Sequence, residues 1–123
     1  KEVFTRRPVG SPILHNGLII GNCGEGGGDN SVIALRVNNH QPEVAFKIDK
    51  TMAPYVPSII AQGEYAYLWS DKGIVYCIHL PDGKKVWQQR IGGNFSSSPV
   101  IASDKLINIS AEGDVYVLAT GDT

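Results

Sequence analysis

The stretch of this chain that most suggests chemistry is a glycine-rich run from Gly21 to Asp29, which holds five glycines. Such runs can bind phosphate when their backbone N–H groups lead into a helix N-terminus and a lysine follows. This run lacks a Gly-Lys-Ser/Thr ending, and no helical apolar period comes after it. We therefore predict a lengthened loop between two strands and no phosphate site.

The same loop contains Glu25 and Asp29, whose carboxylates are candidate ligands for a hard cation. Such a cation takes six or more oxygen ligands, and no Asp-x-Asp-x-Asp spacing supplies them. The three histidines, at positions 15, 40 and 79, show neither His-x-His nor His-Glu-x-x-His spacing. We predict solvated carboxylates here and no metal site.

Nucleophilic side chains give no catalytic pattern either. The serines at 96, 97 and 98 lack the Gly-x-Ser-x-Gly elbow that exposes a nucleophile, so we expect them to satisfy backbone groups where a strand begins. Cys23 and Cys77 are compatible with one disulfide, but two buried free thiols are favoured. We predict no catalytic residue and no enzyme activity.

Composition describes a globular domain with a balanced charge. The chain has 123 residues, of which 42% are hydrophobic and 19% charged, and its formal net charge is −1. No basic block exceeds two residues, which argues against nucleic acid as a partner. No apolar stretch approaches the roughly 18–20 residues that a membrane-spanning helix needs, so we expect no direct membrane insertion of this segment.

The elements that carry these residues come from an internal repeat. Prolines 12, 57 and 99 each belong to a short Ser/Pro motif that opens an apolar run, and they lie 45 and 42 residues apart. A period of about 40–50 residues is typical of propellers and solenoids. The fourteen glycines and seven prolines suit many tight turns between short strands.

The second repeat reads as four strands separated by turns. Apolar and β-branched runs at 57–62, 65–69, 74–80 and 85–91 alternate with Gly, Asp and Pro signals, as in one antiparallel blade. Within it, Tyr65, Tyr67 and Trp69 alternate with Ala66 and Leu68. We expect this aromatic face to pack between sheets.

The other repeats follow the same plan. The first has strands at 13–14, 18–20, 31–37 and 43–48 with a loop at 22–30, and the third has strands at 100–101, 106–109 and 115–118. The prediction is an all-β chain, a β-propeller segment of four-stranded antiparallel blades. It comprises an outer strand of a preceding blade (1–7), two blades (8–50 and 51–92) and an incomplete blade (93–123).

About three blades do not make a ring, because propellers have roughly four to eight. Each blade buries its apolar face against its neighbours, so an open array leaves two faces exposed. We interpret the chain as a fragment of a parent with six to eight blades. The alternative is self-association of copies through the open blade faces.

The repeats resemble the pyrroloquinoline-quinone (PQQ)-type β-propeller family. Its blades read approximately Ser-Ser-Pro-Val, Gly-x-Val-Tyr-Ala-Leu-Asp and Thr-Gly-Lys-x-x-Trp. Similar segments are Ser97–Ala102, Gly73–Ile78, Gly113–Leu118 and Asp82–Trp87. Two departures stand out, namely His79 in place of the usual Asp and Val44-Ala45-Phe46 in place of a clear Gly-Lys-x-x-Trp.

Such departures are similar to those of the family's non-enzymatic scaffolds, such as the lipoprotein of the outer-membrane β-barrel assembly machinery. The resemblance implies a bacterial, periplasmic or secreted scaffold that binds a protein partner, with no cofactor. The alternatives are part of a quinone-dependent dehydrogenase, which would need Ca²⁺ and PQQ ligands that we place on no residue here, and an extracytoplasmic sensor propeller of a kinase-related membrane protein.

Two sets of residues follow as site candidates. The first docks one blade on the next through a tryptophan that fills space and donates its indole N–H. Its members are Trp87, Gly83, Pro12, Pro57 and Pro99. The second set would line the loop face at the mouth of the propeller, where loops on a rigid scaffold carry binding residues. Its members are Glu25, Asp29, Lys50 and Asn94.

Overall fold

The computed structural model describes residue 4 and residues 6–24, 30–38 and 40–121. Over these residues the chain contains eleven β-strands and no helix. The strands are β1 (Ile13–His15), β2 (Leu18–Cys23), β3 (Ser31–Asn38), β4 (Gln41–Ile48), β5 (Ile60–Gln62), β6 (Tyr65–Trp69), β7 (Ile74–His79), β8 (Lys84–Arg90), β9 (Val100–Ala102), β10 (Lys105–Ile109) and β11 (Val115–Ala119).

The strands form three antiparallel meanders in chain order. β1–β4 and β5–β8 make four-stranded sheets, and β9–β11 make a three-stranded sheet. We call these sheets blade 1, blade 2 and blade 3. The predicted all-β class and the four-stranded antiparallel blades of a propeller segment are confirmed.

The core lies between the blades, and blade 2 is buried on both faces. Ala66 and Leu68 of β6 pack toward blade 1, in a cluster that includes Ile20 and Val32. Tyr67 and Trp69 point the other way, toward a second cluster that includes Leu106 of blade 3. Both aromatic side chains are fully buried, so the expectation that this face packs between sheets is confirmed.

Each blade turns from its first strand to its second at a residue with positive φ. These residues are Asn16 (51°), Gly63 (61°) and Ser103 (58°). Left-handed backbone is tolerated best by Gly and by small polar residues such as Asn. A left-handed first turn residue therefore recurs in all three blades, although the second turn residue is also left-handed only in blade 1, at Gly17 (75°).

A second turn repeats almost bond for bond between blades 2 and 3. In the 70–73 turn Gly73 N donates to Ser70 O and Ile74 N donates to Ser70 Oγ. In the 110–114 turn Gly113 and Asp114 make the same bonds to Ser110. Gly73 and Gly113 have φ values of 80° and 95°, which explains a glycine at both positions.

Several strand boundaries differ from the prediction. Residues 57–59 are not part of β5, because Pro57 has no N–H and Ser58 N donates to blade 3 instead of to a ladder partner. In the first repeat, Asn22 and Cys23 belong to the end of β2 and not to the loop that follows it. The predicted outer strand at 1–7 lies largely outside the described residues, although Arg7 bridges to Gly24.

Side-chain hydrogen bonds join neighbouring blades in a repeating ladder. Ser11 N donates to Ser58 Oγ (2.8 Å), and Ser58 N donates to Ser98 Oγ (2.9 Å). These bonds link the same position in blades 1, 2 and 3. The repeated Ser/Pro motif therefore fixes the spacing between blades as well as opening each one.

A second ladder runs along the turns. The His15 ring nitrogen contacts Gly63 O at 2.8 Å, and Gln62 Nε2 donates to Ser103 O at 2.8 Å. His15 and Gln62 end the first strand of their blades, and both reach the turn of the next blade. No helix among the described residues is long and apolar enough to cross a membrane.

Candidate functional site

Trp87 lies at the junction between blade 2 and blade 3. Its indole Nε1 donates to Gly121 O at 2.7 Å, while Gly121 N donates to the Tyr67 hydroxyl at 2.7 Å. The Tyr67 and Trp87 rings pack with centroids 6.1 Å apart. Burial raises the pKa of Tyr67, and the hydrogen bond from Gly121 N opposes that shift.

The junction between blades 1 and 2 has the same geometry but an apolar partner. Phe46 pairs with Ala34 as Trp87 pairs with Cys77, and a β-bulge follows Ala34 and Cys77 alike. A Cβ on Gly83, whose φ is 71°, would stand 2.6 Å from Phe46 Cδ1. The Phe46 ring therefore packs directly on the Gly83 backbone, where a side chain would clash with it.

The three motif prolines do not occupy one structural position. The first strands begin at Ile13, Ile60 and Val100, so Pro12 aligns with Ile59 and Pro99, while Pro57 lies two residues earlier in its blade. Pro57, Ile59 and Pro99 are buried, whereas Pro12 is exposed. The aligned position is therefore buried in blades 2 and 3, each of which has a blade in front of it among the described residues.

A polar cleft of about 470 Å³ opens where the blade-to-blade connections meet. Lys50 and Asn94, both predicted for a common loop face, line this one cleft. Glu25 and Asp29 lie outside the described residues. The other polar lining comes from Asn30, Thr51, Tyr55, Ser70, Asp71, Lys72 and Ser96.

The connection at 54–57, of which Tyr55 lines the cleft, is called here the floor, and it is held from two blades. Asn22 of blade 1 donates through Nδ2 to Pro54 O (3.0 Å) and Pro57 O (3.2 Å). The Asp71 carboxylate of blade 2 accepts from Tyr55 N (2.7 Å) and Val56 N (3.0 Å). A loop fastened on both sides gives the cleft a rigid base.

The aspartates in and beside the cleft accept hydrogen bonds from the chain, whereas the lysines form no salt bridge with the described residues. Asp49, beside Lys50, accepts from the Thr51 hydroxyl (2.5 Å) and from Thr51 N (2.9 Å), and these bonds lower its pKa. Asp71 is used by the floor. Neither Lys50 nor Lys72 has an ion-pair partner among residues 4, 6–24, 30–38 and 40–121. The cleft therefore carries two ammonium groups that form no salt bridge with the described residues.

Sequence reasoning missed three residues of this site. The sequence pattern predicts a loop at Asn22 and only a turn at Asp71 and Lys72. The available signal was the turn itself: the matching position in blade 3 is Ala111, so an aspartate at 71 is not needed to form it. A polar residue at a turn position that does not require one indicates a hydrogen-bond partner distant in the sequence.

The described residues do not fit a calcium and quinone site. No group of three or more His, Cys, Asp or Glu side chains among them is placed to hold a metal ion. Asp71, which lines the cleft, and Asp49, which lies beside it in the chain at Lys50, already accept hydrogen bonds from the chain. Cys23 and Cys77 are both buried and form no disulfide, as predicted.

Asp71→Ala tests how the floor is held. We expect a loss of about 2 kcal/mol in unfolding free energy, because two part-buried N–H groups lose a charged acceptor. Blade 3 forms the same turn with Ala111, so the turn itself should survive. Urea denaturation measures the loss, with Lys72→Ala as the control that changes the neighbouring exposed side chain. Equal stability of the two variants would contradict this account.

Together the sheets, the blade ladders and the docking contacts define a β-propeller segment with PQQ-like repeats. The comparisons with known proteins agree. No family model matches the chain. Over 64 residues it is 28% identical to the outer membrane protein assembly factor BamB of Yersinia pestis, a match covering 52% of this chain and 16% of BamB.

Solved structures show the same fold at low identity. The quinohemoprotein alcohol dehydrogenase ADHIIG from Pseudomonas putida HK5 matches with a TM-score of 0.74 at 15% identity, covering 97% of this chain and 20% of that one. BamB from Moraxella catarrhalis matches with 0.63 at 14%, covering 90% and 43%. The computationally designed Ika4 protein matches with 0.55 at 9%, covering 98% and 95%. The chain thus spans less than half of either natural relative.

Proposed function

We propose that this chain is a non-catalytic propeller scaffold that binds another protein through the polar cleft. The observation that carries the proposal is the pair Lys50 and Lys72, which line the cleft and form no salt bridge with another described residue. The acids beside them are engaged in holding the backbone. Recognition without covalent chemistry suits such a site.

The partner that fits is an extended segment carrying carboxylates. Lysines can pair with acidic side chains at the rim of an interface, where they contribute more to association rate and specificity than to affinity. Asn94 and Tyr55 add groups that can hydrogen-bond the backbone of such a segment. Asn94 Nδ2 makes only a long contact to Glu112 Oε1 (3.4 Å), so a bound peptide can compete for it.

The match to a protein named for outer membrane protein assembly supports this type of partner and an extracytoplasmic location. On that basis we place the chain in the periplasm of a bacterium, as part of a scaffold that contacts other proteins. The dehydrogenase with a similar structure is 15% identical in sequence, which supports a shared fold but not a shared activity.

Titration with a synthetic peptide of alternating Glu and Ser tests the cleft directly. We expect amide shifts at Lys50, Lys72 and Asn94 in NMR spectra of the labelled chain. Reversing both lysines to Glu should weaken binding by about tenfold or more, because attraction becomes repulsion. Lys85→Glu, which changes an exposed lysine of β8, should leave binding unchanged. Shifts elsewhere, or none, would refute the cleft as the binding surface.

A second titration addresses the enzyme alternative. Calorimetry with PQQ plus Ca²⁺ should give no binding heat, because no group of three or more described His, Cys, Asp or Glu side chains is placed to hold a metal ion. Stoichiometric binding would assign the chain to the quinone-dependent dehydrogenases and overturn the non-catalytic proposal.

A further inference from the structure

The polar cleft has an apolar base in addition to its charged residues. Met52, Ala53 and Phe95 line it together with the two lysines. Ala53 and Phe95 are buried and Met52 is partly buried, whereas Lys50 and Lys72 are exposed. The apolar residues therefore lie deeper in the cleft than the lysines.

This base is the place where both hydrophobic cores reach the cleft. Ala53 belongs to the cluster between blades 1 and 2, and Met52 packs against that cluster. Phe95 belongs to the cluster between blades 2 and 3, where its ring meets the rings of Trp69 and Tyr116 edge-on, with centroids 5.1 and 5.7 Å apart. An apolar side chain that enters the cleft can therefore pack on residues of both cores.

Hydrogen bonds hold the backbone on both sides of the base. The hydroxyl of Tyr76 in blade 2 donates to Thr51 O at 2.9 Å, which fastens the turn at 49–53. On the other side, Phe95 N donates to Asp71 O at 2.9 Å. Because these segments are already ordered by the fold, a ligand would pay little to order them on binding.

Met52 is the adaptable member of the base. Its unbranched thioether side chain can adjust to apolar groups of different shape, and such side chains are frequent at surfaces that bind partners. Part of the Met52 side chain is exposed, so a ligand that covered it would remove apolar surface from water. The cleft volume of about 470 Å³ is within the range of roughly 300–1,000 Å³ that ligand pockets have.

We infer that the segment bound in the cleft carries one large apolar side chain between its acidic residues. That side chain packs on Met52 and Phe95, while the acidic residues on either side of it pair with Lys50 and Lys72. This inference rests on the proposed function and names the motif that the partner presents. Exposed ion pairs contribute little affinity, whereas a few apolar anchors inside a polar rim carry most of the affinity of an interface.

Two peptides of equal charge test the anchor. One alternates Glu and Ser around a central Phe, and the other has Ala in place of the Phe. We expect the Phe peptide to bind the chain about tenfold or more tightly than the Ala peptide, because only it buries a large apolar side chain. Calorimetric titration measures both affinities.

A variant of the chain tests where the Phe side chain lies. Met52→Gln keeps an unbranched side chain but puts an amide in the base, and it should bring the affinity ratio of the two peptides close to one. The matched control is Val86→Gln, which makes the same kind of change at an exposed valine of β8 and should leave the ratio unchanged. Thermal melting checks that both variants are folded.

The methionine also provides a direct spectroscopic readout. Met52 is the only methionine among the 123 residues, so selective ¹³C labelling of methionine methyl groups gives one signal from the cleft. The Phe peptide should shift this signal and show a nuclear Overhauser effect between the methyl group and its ring. The Ala peptide should shift it much less at equal saturation.

The failure of this inference can be distinguished from the failure of the proposed function. If both peptides bind equally well and Lys50→Glu with Lys72→Glu weakens both, the cleft binds acidic segments but the anchor is wrong. If the Phe peptide binds more tightly and Met52→Gln keeps that advantage, the side chain lies elsewhere and the inference is also wrong. If neither peptide binds, the proposed function fails together with the inference.

Discussion

Gly73→Ala is expected to destabilise the chain by about 4 kcal/mol or more, enough to unfold it under ordinary conditions. Gly73 has a φ of 80°, and a Cβ built on it collides with the carbonyl group of Gly92. The left-handed backbone alone costs an L-residue about 1–2 kcal/mol. Displacing packed backbone adds about 1–3 kcal/mol. The Gly73 carbonyl also accepts from Ile91 N and Gly92 N, and a shift would break both bonds.

Gly113→Ala is the matched control for this prediction. Gly113 occupies the same turn in blade 3, with a φ of 95° and the same hydrogen bond to its serine, but a Cβ there meets nothing within 4 Å. Its cost should therefore be the conformational part only, about 1–2 kcal/mol. Urea midpoints of the two variants, or the folded yield where Gly73→Ala is too unstable, give the comparison. Equal losses would show that crowding at Gly92 is unimportant.

Trp87→Ala should remove about 3 kcal/mol of unfolding free energy. The ring packs on Tyr67 and belongs to the cluster between blades 2 and 3, and large aromatic truncations in cores cost about 3–5 kcal/mol. Partial exposure of Trp87 sets the expectation at the lower end of that range. The Gly121 carbonyl also loses its 2.7 Å indole donor.

Two further variants separate packing from hydrogen bonding at this position. Trp87→Phe keeps a ring, as Phe46 does in blade 1, and should cost about 1 kcal/mol for the lost N–H. Val86→Ala changes the adjacent exposed side chain and should cost little. A loss below about 1 kcal/mol for Trp87→Ala would mean that the docking contact does not stabilise the fold.

The fold could be predicted because its determinants are local and repeated. Glycines at turns, alternation along β6 and the recurring Ser/Pro motif each depend on near neighbours in sequence. The first strand of blade 2 begins at Ile60, three residues later than the sequence pattern predicts. Whether residues 57–59 pair as strand depends on the bond from Ser58 N to Ser98, forty residues away, which no local pattern reveals.

The candidate site was predictable only in part for the same reason. Knowing which loops share one end of a propeller was enough to group Lys50 with Asn94. The roles of Asn22 and Asp71 depend on where the 54–57 connection lies in space, and that position results from packing between blades 1 and 2. Hydrogen bonds that depend on tertiary geometry produce no periodic pattern in the sequence from which they could be predicted.

The two docking junctions differ in chemistry, so each blade fits its own neighbour and the order of the blades matters for stability. Gly121 receives a hydroxyl and an indole from Tyr67 and Trp87, whereas Gly83 receives a plain phenyl ring from Phe46. If recombination deleted blade 2, Ile20 and Phe46 would face Gly121 and leave its peptide groups without those partners. Blades of similar shape are thus not interchangeable parts. After duplication or shuffling of such repeats, the contacting residues at each new junction would have to change by mutation.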